Sequence, residues 1–342
     1  MRAGGGILRG MGSRKGEISS EISGELCPHS GESEVAANQS RTENRGSYSL
    51  RLANGLTWSL VPTVASAAWV MKLGRIMGLK TSIPDSRPRI IFCRGEFRIR
   101  RNKISVNGLP PEILKNIPES GWKVIREMGI DNWYHPDIDD VIVDMGNEGD
   151  DILDGVPMGQ ALTPIFNRVI AHGGLPLHAA LAEYRGLGCL LAAPGGGGKS
   201  TCARRLFMPW RTLSDDAALI VQVKGNGYRA HPLPTWSEFL HKRSENTWNA
   251  EEHLPCSAVF FLEQATCDNT VPVGQAKSAV SLYHAAAQVC GMPPLSSCSR
   301  EHEREIHARI FENACEIARS VPCYLLRVSL TGRFWEEMER VL

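Results

Sequence analysis

Residues 190–201 decide the fold of this chain, and they read Leu190-Leu191-Ala192-Ala193-Pro194-Gly195-Gly196-Gly197-Gly198-Lys199-Ser200-Thr201. The apolar part, which begins at Leu187, is typical of a buried strand. The glycines that follow predict a tight turn, because glycine adopts backbone conformations that other residues avoid. The residues after the turn, as far as Phe207, favour a short helix. We therefore expect a strand, a glycine-rich loop and a helix in succession.

The order of residues in this loop suits a phosphate group. The four glycines at 195–198 let backbone N–H groups approach an anion closely, and the start of the next helix adds partial positive charge. Lys199 can reach the terminal phosphates of a nucleotide, Ser200 can ligate Mg²⁺, and Thr201 completes the candidate nucleotide-binding segment. Ala193 stands where the G-x-x-x-x-G-K-[ST] pattern has its first glycine. A flexible loop that binds nothing is the alternative, and the flanking strand and helix favour phosphate binding.

The composition indicates an ordinary globular protein. The chain has 342 residues, of which 42% are hydrophobic and 22% charged, and its formal net charge is +1. This balance gives no overall attraction to nucleic acid or to a membrane surface, so we expect neither as a partner. The start of the chain does not have the form of a signal peptide, and the scattered cysteines fit a reducing compartment. A cytoplasmic location is therefore expected.

The chain divides into three predicted parts. Residues 1–46 are rich in Gly, Ser and Glu, and we expect a disordered leader because such a segment buries too little apolar surface to become ordered. Residues 47–157 are expected to form a smaller α+β region. Residues 158–342 are expected to form the nucleotide-binding domain. The length allows about two folded domains.

Several elements of the smaller region can be predicted. A hairpin is expected at 47–60 around Asn54-Gly55, followed by a core-facing helix at about 64–77. Strands are expected at 89–93 and 141–144, a strand pair at 97–107, and a helix at 159–171. The acidic residues between Asp131 and Asp154 are interpreted as a solvated loop, because their spacing does not match a calcium-binding loop.

A second group of elements surrounds the glycine loop. One strand is expected at 175–184, with a tight turn at Arg185-Gly186 that leads into the strand before the loop. A second hairpin is expected from strands at 217–223 and 228–231. The remaining predictions are strands at 257–262 and 321–328 and helices at 278–289, 301–319 and 332–342.

Three further residues are candidates for the chemistry. Asp215 and Asp216 precede a predicted strand, and phosphoryl transfer needs carboxylates to hold Mg²⁺ and to activate the acceptor hydroxyl. The alternative for this pair is an ordinary turn or helix cap. His178 lies in the strand before the loop, on the same face as the small residues Ala180 and Ala182. A lone strand histidine is otherwise typical of a core, so periodicity alone assigns it no role.

These residues together resemble a known family. His178, the glycine loop and the Asp215-Asp216 pair are similar to the core of HPr kinase/phosphorylase and its relatives. The fuller strings LPLHAALAEYRGLGCLLAAPGGGGKSTCARRL and PWRTLSDDAALIV resemble the ScmC family, whose members are HPr kinase-related proteins of SynChlorMet peptide-modification cassettes. The resemblance implies an α/β fold with a P-loop nucleotide-binding core like that of HPr kinase and phosphoenolpyruvate carboxykinase.

The same resemblance implies roles for the candidate residues. Lys199 and the loop amides would bind the ATP phosphates, while Ser200 and Asp216 would hold Mg²⁺. Asp215 would act as the catalytic base toward a serine or threonine hydroxyl, with His178 beside it. This chain departs from the family pattern at 227–232, where the expected RGxG segment is absent, and it has no match for the C-terminal arginine loop. Both departures argue against phosphorylase activity and against HPr as the substrate.

Two functions follow as expectations. The first is an ATP- and Mg-dependent kinase that phosphorylates a precursor peptide or a small protein. The second is a catalytically inactive ATP-binding switch or scaffold for a peptide-modifying complex. The cassette context adds a radical SAM enzyme to the expected partners, and the oligomers common among HPr kinase relatives add a homo-oligomer.

Overall fold

A computed structural model describes residues 46–83, 88–100, 103–127, 129–146, 155–236, 248–290 and 300–342. The predicted leader lies outside these ranges apart from Gly46, as do the acidic residues at 148–154. Arg45–Leu342 forms one unit of contacts that contains two large sheets. The strands of the first sheet come from residues 47–157 and those of the second from residues 158–342. The architecture is mixed α/β.

The first sheet has seven strands. In spatial order they are β3 (Lys80–Ser82), β1 (Ser47–Arg51), β2 (Thr57–Pro62), β4 (Arg89–Cys93), β9 (Ile138–Asp144), β8 (Ile130–His135) and β7 (Lys123–Glu127). The predicted hairpin is confirmed, because β1 and β2 pair antiparallel and Gly55 has a φ of +86° in the turn. Helix α1 (Ala67–Ile76) confirms the predicted core-facing helix and buries Trp69 and Leu73.

A small separate sheet and a short helix accompany these strands. The predicted strand pair is confirmed as β5 (Phe97–Arg100) and β6 (Lys103–Val106), which form a two-stranded sheet of their own. Helix α2 (Pro111–Leu114) follows, with proline in its first turn, where the missing N–H costs no hydrogen bond. Val106 and Ile113 are buried in the same apolar cluster as Trp133, which ties this part to the larger sheet.

The interpretation of the acidic region as a solvated loop is wrong for the residues that the structure describes within strands. Asp131 lies in β8, and Asp139 and Asp140 lie in β9. Asp140 is 1% exposed, because the parallel register of β4 and β9 places it beside Arg89. Its carboxylate accepts hydrogen bonds from the Arg89 backbone N–H at 2.9 Å and from Nε at 2.9 Å, and Nη2 also contacts it. The charge is thus internal and paired, which its position in a polar stretch of sequence did not reveal.

The second sheet has nine strands. Its main path runs β10 (Leu175–Leu177), β14 (Ala217–Gln222), β15 (Tyr228–Leu233), β16 (Leu254–Gln264), β12 (Leu187–Ala192), β11 (Ala179–Tyr184) and β13 (Trp210–Ser214). Two further strands, β17 (Asn269–Pro272) and β18 (Cys323–Val328), extend it from β16. The pairs β12–β16 and β16–β18 are parallel, whereas the other pairings in this sheet are antiparallel.

Helices cover both faces of the parallel strands. Those described in this part of the chain are α3 (Gly155–Gln160), α4 (Thr163–Ala171), α5 (Lys199–Arg205), α6 (Gln275–Cys290), α7 (Arg300–Ser320) and α8 (Phe334–Glu339). Leu190 of β12 packs in a cluster with α6 and α7, while its neighbour Leu191 packs in another with α5 and α8. Burial on both faces explains why β12 is apolar throughout instead of alternating. Across the described ranges, the helices are all too short or too polar to span a membrane.

Two predicted elements are divided in the structure. The strand expected at 175–184 is interrupted at His178, since β10 pairs with β14 whereas β11 pairs with β12 and β13. The helix expected at 159–171 is two helices, α3 and α4, with Ala161 and Leu162 between them. Pro164 in the first turn of α4 suits a new helix start at this point.

The two large sheets share one apolar cluster. Leu60 and Phe92 of the first sheet pack in the same cluster as Leu219 and Val221 of the second. Backbone hydrogen bonds add to this contact: Trp248 N–H donates to the carbonyl of Ile76 at 2.8 Å. His231, fully buried, accepts a bond from the N–H of Ala53 at 3.1 Å and contacts the Ala250 carbonyl through Nδ1 at 3.0 Å. The core is therefore continuous from β1 to β15.

The buried ion pair predicts a large stability difference between two adjacent aspartates. Asp140→Ala leaves the Arg89 guanidinium buried without its carboxylate, and we expect it to lower the free energy of unfolding by about 3–5 kcal/mol. Asp139→Ala is the matched control. Asp139 is 71% exposed and pairs with Arg168 at 3.1 Å, so its loss should cost about 1 kcal/mol or less. Urea denaturation measures the free energy of unfolding of both variants. Equal losses of stability would contradict the assignment of Asp140 to a buried ion pair and Asp139 to an exposed one.

Candidate functional site

The glycine loop lies at the carboxyl end of β12, as the sequence predicts. Open α/β sheets bind ligands at this edge, beyond the carboxyl ends of their parallel strands. Gly196 and Gly198 have φ values of +76° and +98°, which side chains with a Cβ rarely adopt. A Cβ on Gly197 would lie 2.6 Å from the Cβ of Ala193. Each of these three glycines is therefore required by the shape of the loop.

The alanine at the first pattern position causes no strain. Among non-glycine residues in the described ranges, positive φ occurs at Arg185 alone, so Ala193 has an ordinary backbone conformation. Its side chain is buried, and its carbonyl accepts a hydrogen bond from the Lys199 ammonium at 2.9 Å. The departure from glycine at this position therefore leaves the loop intact.

Lys199 is the centre of the site. It begins α5 and is only 5% exposed. Its ammonium contacts His178 Nε2 at 2.8 Å and the carbonyl oxygens of Ala193 and Pro194 at 2.9 and 3.4 Å. Burial lowers the pKa of Lys199, and the nearby charges of Asp216 and Asp215 oppose that shift. In the described part of the chain, the direct acceptors of this cation are all uncharged.

His178 occupies the interruption between β10 and β11. Its backbone N–H, which belongs to neither ladder, donates to the carbonyl of Ala285 in α6 at 3.0 Å. The ring lies between two charges, with Nε2 facing Lys199 and Nδ1 3.4 Å from Asp216 Oδ1. Because an ammonium can only donate, Nε2 must be the acceptor, and the hydrogen-bond pattern assigns the proton to Nδ1, toward Asp216.

The structure brings His178 together with a different aspartate from the one expected. The resemblance placed His178 beside Asp215, but the carboxylate it contacts is that of Asp216. Both aspartates are half-buried in the bend between β13 and β14. Adjacent residues in a bend direct their side chains to different neighbours, so Asp216 joins the chain Lys199–His178–Asp216, and Asp215 has another partner.

That partner is Thr235, which the sequence analysis missed. Its hydroxyl, in a residue 2% exposed, donates to Asp215 Oδ1. The pairing follows from register: Ala217 lies opposite Leu233 in the β14–β15 ladder, and extending that ladder by two residues brings Asp215 opposite Thr235. Counting outward from the turn predicted between the strands at 217–223 and 228–231 would instead pair Asp215 with Trp236, one residue beyond the observed partner, so the sequence alone does not identify Thr235.

The other loop residues have the following positions. Gly195 and Thr201 are exposed, and Ser200, the second residue of α5, is half-buried. Gln264, also missed from the sequence, donates from Nε2 to the carbonyl of Gly196 at 3.2 Å. Gln264 ends β16, the parallel neighbour of β12, so the same sheet edge supports the loop from a second strand.

The region that carries this site matches a known family. The model of the family described as SynChlorMet cassette protein ScmC matches residues 141–342 of the chain. This span is more than half of the sequence. The chain belongs to the ScmC family.

The ScmC match includes every residue of the site. It begins in β9 and extends to the C-terminus, and so contains His178, Lys199, the two aspartates and Thr235. The search of curated proteins found no match to this chain. Most of the first sheet lies before the matched span.

The contacts of His178 predict opposite shifts of its pKa in two variants. Burial is the main cause that lowers this pKa below its ordinary value of 6.5; the Asp216 charge raises it, and Lys199 lowers it. We therefore expect Asp216→Asn to lower the pKa further and Lys199→Met to raise it. Asp215→Asn is the matched control and should leave it unchanged. Titration of the imidazole resonances by NMR measures all three, and a shift in Asp215→Asn equal to that in Asp216→Asn would contradict the geometry.

Proposed function

We propose that the chain binds MgATP at the glycine loop and transfers its terminal phosphoryl group to a serine or threonine hydroxyl of a peptide or small protein. The observation that carries this proposal is the chain of contacts from the buried Lys199 through His178 to the half-buried Asp216, beside the loop. It supplies a cation for phosphates and a carboxylate for a metal at the sheet edge where ligands bind. The resemblance to HPr kinase is part of the same proposal.

The loop and Lys199 fit a phosphate group. A buried ammonium whose direct acceptors are uncharged gains free energy from a nearby anion, because the low dielectric strengthens the attraction. A Cβ built on Gly195, Gly196 or Gly198 would meet no atom within 4 Å, so the loop has open space beside its backbone. Both features support binding of the β- and γ-phosphates by Lys199 and the loop amides.

The donor set also fits Mg²⁺. This ion prefers oxygen ligands and is usually held by one or two carboxylates together with substrate phosphates and water. Asp216 and the Ser200 hydroxyl are the oxygens we assign to it. When bound, the ion would neutralise charge that develops on the phosphate oxygens.

Asp215 is the residue we assign to proton transfer. Thr235 donates to one carboxylate oxygen of Asp215, and among the described residues the other oxygen has no hydrogen-bond donor, so it can accept a proton. In the proposed reaction the acceptor hydroxyl oxygen bonds to the γ-phosphorus, the bond from that phosphorus to the β,γ-bridging oxygen breaks, and the hydroxyl proton passes to Asp215. The products are ADP and a phosphorylated peptide.

An ATP-binding switch or scaffold without catalysis is the second candidate. The resemblance leads one to expect further catalytic residues at 227–232, and residues 228–232 lie in β15. Its buried His231 is committed to contacts with Ala53 and Ala250 and so cannot serve the phosphate site. Membership of a peptide-modification cassette family suits either function, with the precursor peptide or a radical SAM enzyme as partner. A cytoplasmic location and a homo-oligomer also belong to the proposal.

Phosphoryl transfer from radiolabelled ATP to the cassette's precursor peptide tests the proposal. We expect Lys199→Met to weaken ATP binding roughly tenfold to a hundredfold, the equivalent of a hydrogen bond to a charged group. Asp215→Asn should retain ATP binding and lower the transfer rate at least about a hundredfold. Lys224→Met, in an exposed turn, is the control for the first change.

The outcomes separate the two candidates. Transfer by the wild type and its loss in Asp215→Asn support the kinase. ATP binding by the wild type without transfer to the peptide supports the switch or scaffold. If ATP binding is absent, or is the same in Lys199→Met and in the wild type, both are wrong.

The Thr235 hydroxyl predicts a separate effect on the same reaction. Thr235→Val keeps the shape of the side chain but leaves Asp215 without its donor, and we expect kcat to fall roughly tenfold, about the value of one hydrogen bond. The KM for ATP should not change, because Thr235 contacts Asp215 and not Lys199. Thr235→Ser should restore the rate. Steady-state kinetics decide, and a valine variant with wild-type kcat would exclude Thr235 as a positioning residue.

A further inference from the structure

The two-stranded sheet of β5 and β6 presents a free edge. The strands pair antiparallel with Ile99 opposite Ile104. Phe97 fixes the sheet to the body of the protein, its ring centroid 5.1 Å from that of Trp133. Within the described ranges β5 pairs with β6 alone, so its other side carries no strand.

The orientation of the free backbone groups follows from one hydrogen bond. Ile104 N–H donates to the carbonyl of Glu119 at 2.7 Å, and so points away from β5. In an antiparallel ladder, two residues that face each other either exchange backbone hydrogen bonds, or the N–H and C=O groups of both point away from the partner strand. The N–H and C=O of Ile99 therefore point away from β6, toward the unpaired side. Phe97, two residues earlier, has the same orientation.

The side chains along this edge are basic, and they have no ion pair within the described ranges. Arg98 and Arg100 are exposed, and alternation along the strand places them on the face opposite to Phe97. Neither guanidinium has a hydrogen bond or ion pair with any described residue. Lys103 differs, because it pairs with Glu119 at 2.6 Å. Two uncompensated arginines thus flank the free backbone groups of Ile99.

We propose that the outer edge of β5 binds an extended acidic peptide segment as an added strand. Backbone hydrogen bonds to Ile99 and Phe97 would give affinity, as in other cases of strand addition. Residues of an added strand that lie opposite Arg98 and Arg100 are two positions apart and on one face, and opposite charges there are favourable. The edge therefore selects an acidic residue, an apolar or neutral residue opposite Ile99, and a second acidic residue.

The chemistry of this edge favours a peptide over nucleic acid. Nucleic-acid binding draws its affinity from many phosphate contacts, whereas this edge presents two arginines, Arg98 and Arg100, on a chain of net charge +1. Its distinctive feature is the row of outward backbone groups, which pair with another backbone. The inference does not depend on the phosphate site, so its test contains no nucleotide.

Fluorescence anisotropy with the full chain and labelled peptides tests the inference. The probe is a short peptide of alternating Glu and Val, compared with one of alternating Lys and Val. We expect the Glu peptide to bind, with weaker binding at higher salt concentration. Arg98→Glu with Arg100→Glu should weaken it about tenfold or more, and Ile99→Pro should also weaken it, because proline lacks the outward N–H. Lys80→Glu with Lys123→Glu makes the same charge change on two other edge strands and is the control.

Binding that is lost in the arginine variant and kept in the lysine control supports the site. Equal binding of the two peptides, no binding of the Glu peptide, or equal losses in both double variants overturns it. The arginine substitutions are on exposed side chains, so the test stands even if Ile99→Pro disturbs the hairpin. A single-stranded oligonucleotide that binds more tightly than the Glu peptide and loses affinity in the arginine variant also overturns the peptide assignment.

Discussion

The chain must pass between two sets of strands at His178, and the candidate site depends on that constraint. β10 belongs to the β14 side of the sheet and β11 to the β12 side, so the backbone at His178 can pair in neither ladder. A buried N–H without a partner would cost free energy, and α6 supplies one through the Ala285 carbonyl. The side chain at this junction then lies between Lys199 and Asp216.

The charged groups of this arrangement are costly to bury, and their contacts with one another offset part of that cost. Lys199 is desolvated, and burial lowers the pKa of both Lys199 and His178. A neutral imidazole between an ammonium and a carboxylate satisfies both neighbours, since one ring nitrogen accepts and the other donates. These groups are oriented by one another, and such orientation in advance is what electrostatic stabilisation would require in the proposed phosphoryl transfer. The hydrogen bond from Gln264 at the end of β16 to the Gly196 carbonyl ties the glycine loop to the sheet and limits movement of the loop.

The two parts of the molecule contribute different surfaces. The strands and helices matched by the ScmC family carry the glycine loop and its neighbours. The first sheet shares a core with them, and the small β5–β6 sheet packs on its other side through Trp133 and Val106. His231 links the two sheets, because this residue of β15 accepts a hydrogen bond from the backbone N–H of Ala53 in the first hairpin. Together, the proposed phosphoryl-transfer site and the proposed peptide-binding edge would suit an enzyme that acts on a peptide.

Local elements were predictable wherever short-range rules apply. The strand at 187–192, the glycine loop, the hairpin around Gly55 and the helix at 67–76 follow from residue pattern and turn chemistry, which act within a few residues. The strand β8, hidden among acidic residues, and the burial of Asp140 were not predicted. Asp140 is internal only because a parallel neighbour places Arg89 beside it, and that neighbour is about fifty residues away in sequence.

Residue pattern was enough to predict that a glycine loop ending in Lys199-Ser200 follows a buried strand, and that Asp215 and Asp216 precede another. Which of these side chains contact one another is set by tertiary packing. Pairing of His178 with Asp216, and of Asp215 with Thr235, depends on strand register and on the break between β10 and β11. Register is a property of two strands together, set by packing across the whole sheet, so no single segment of sequence contains it.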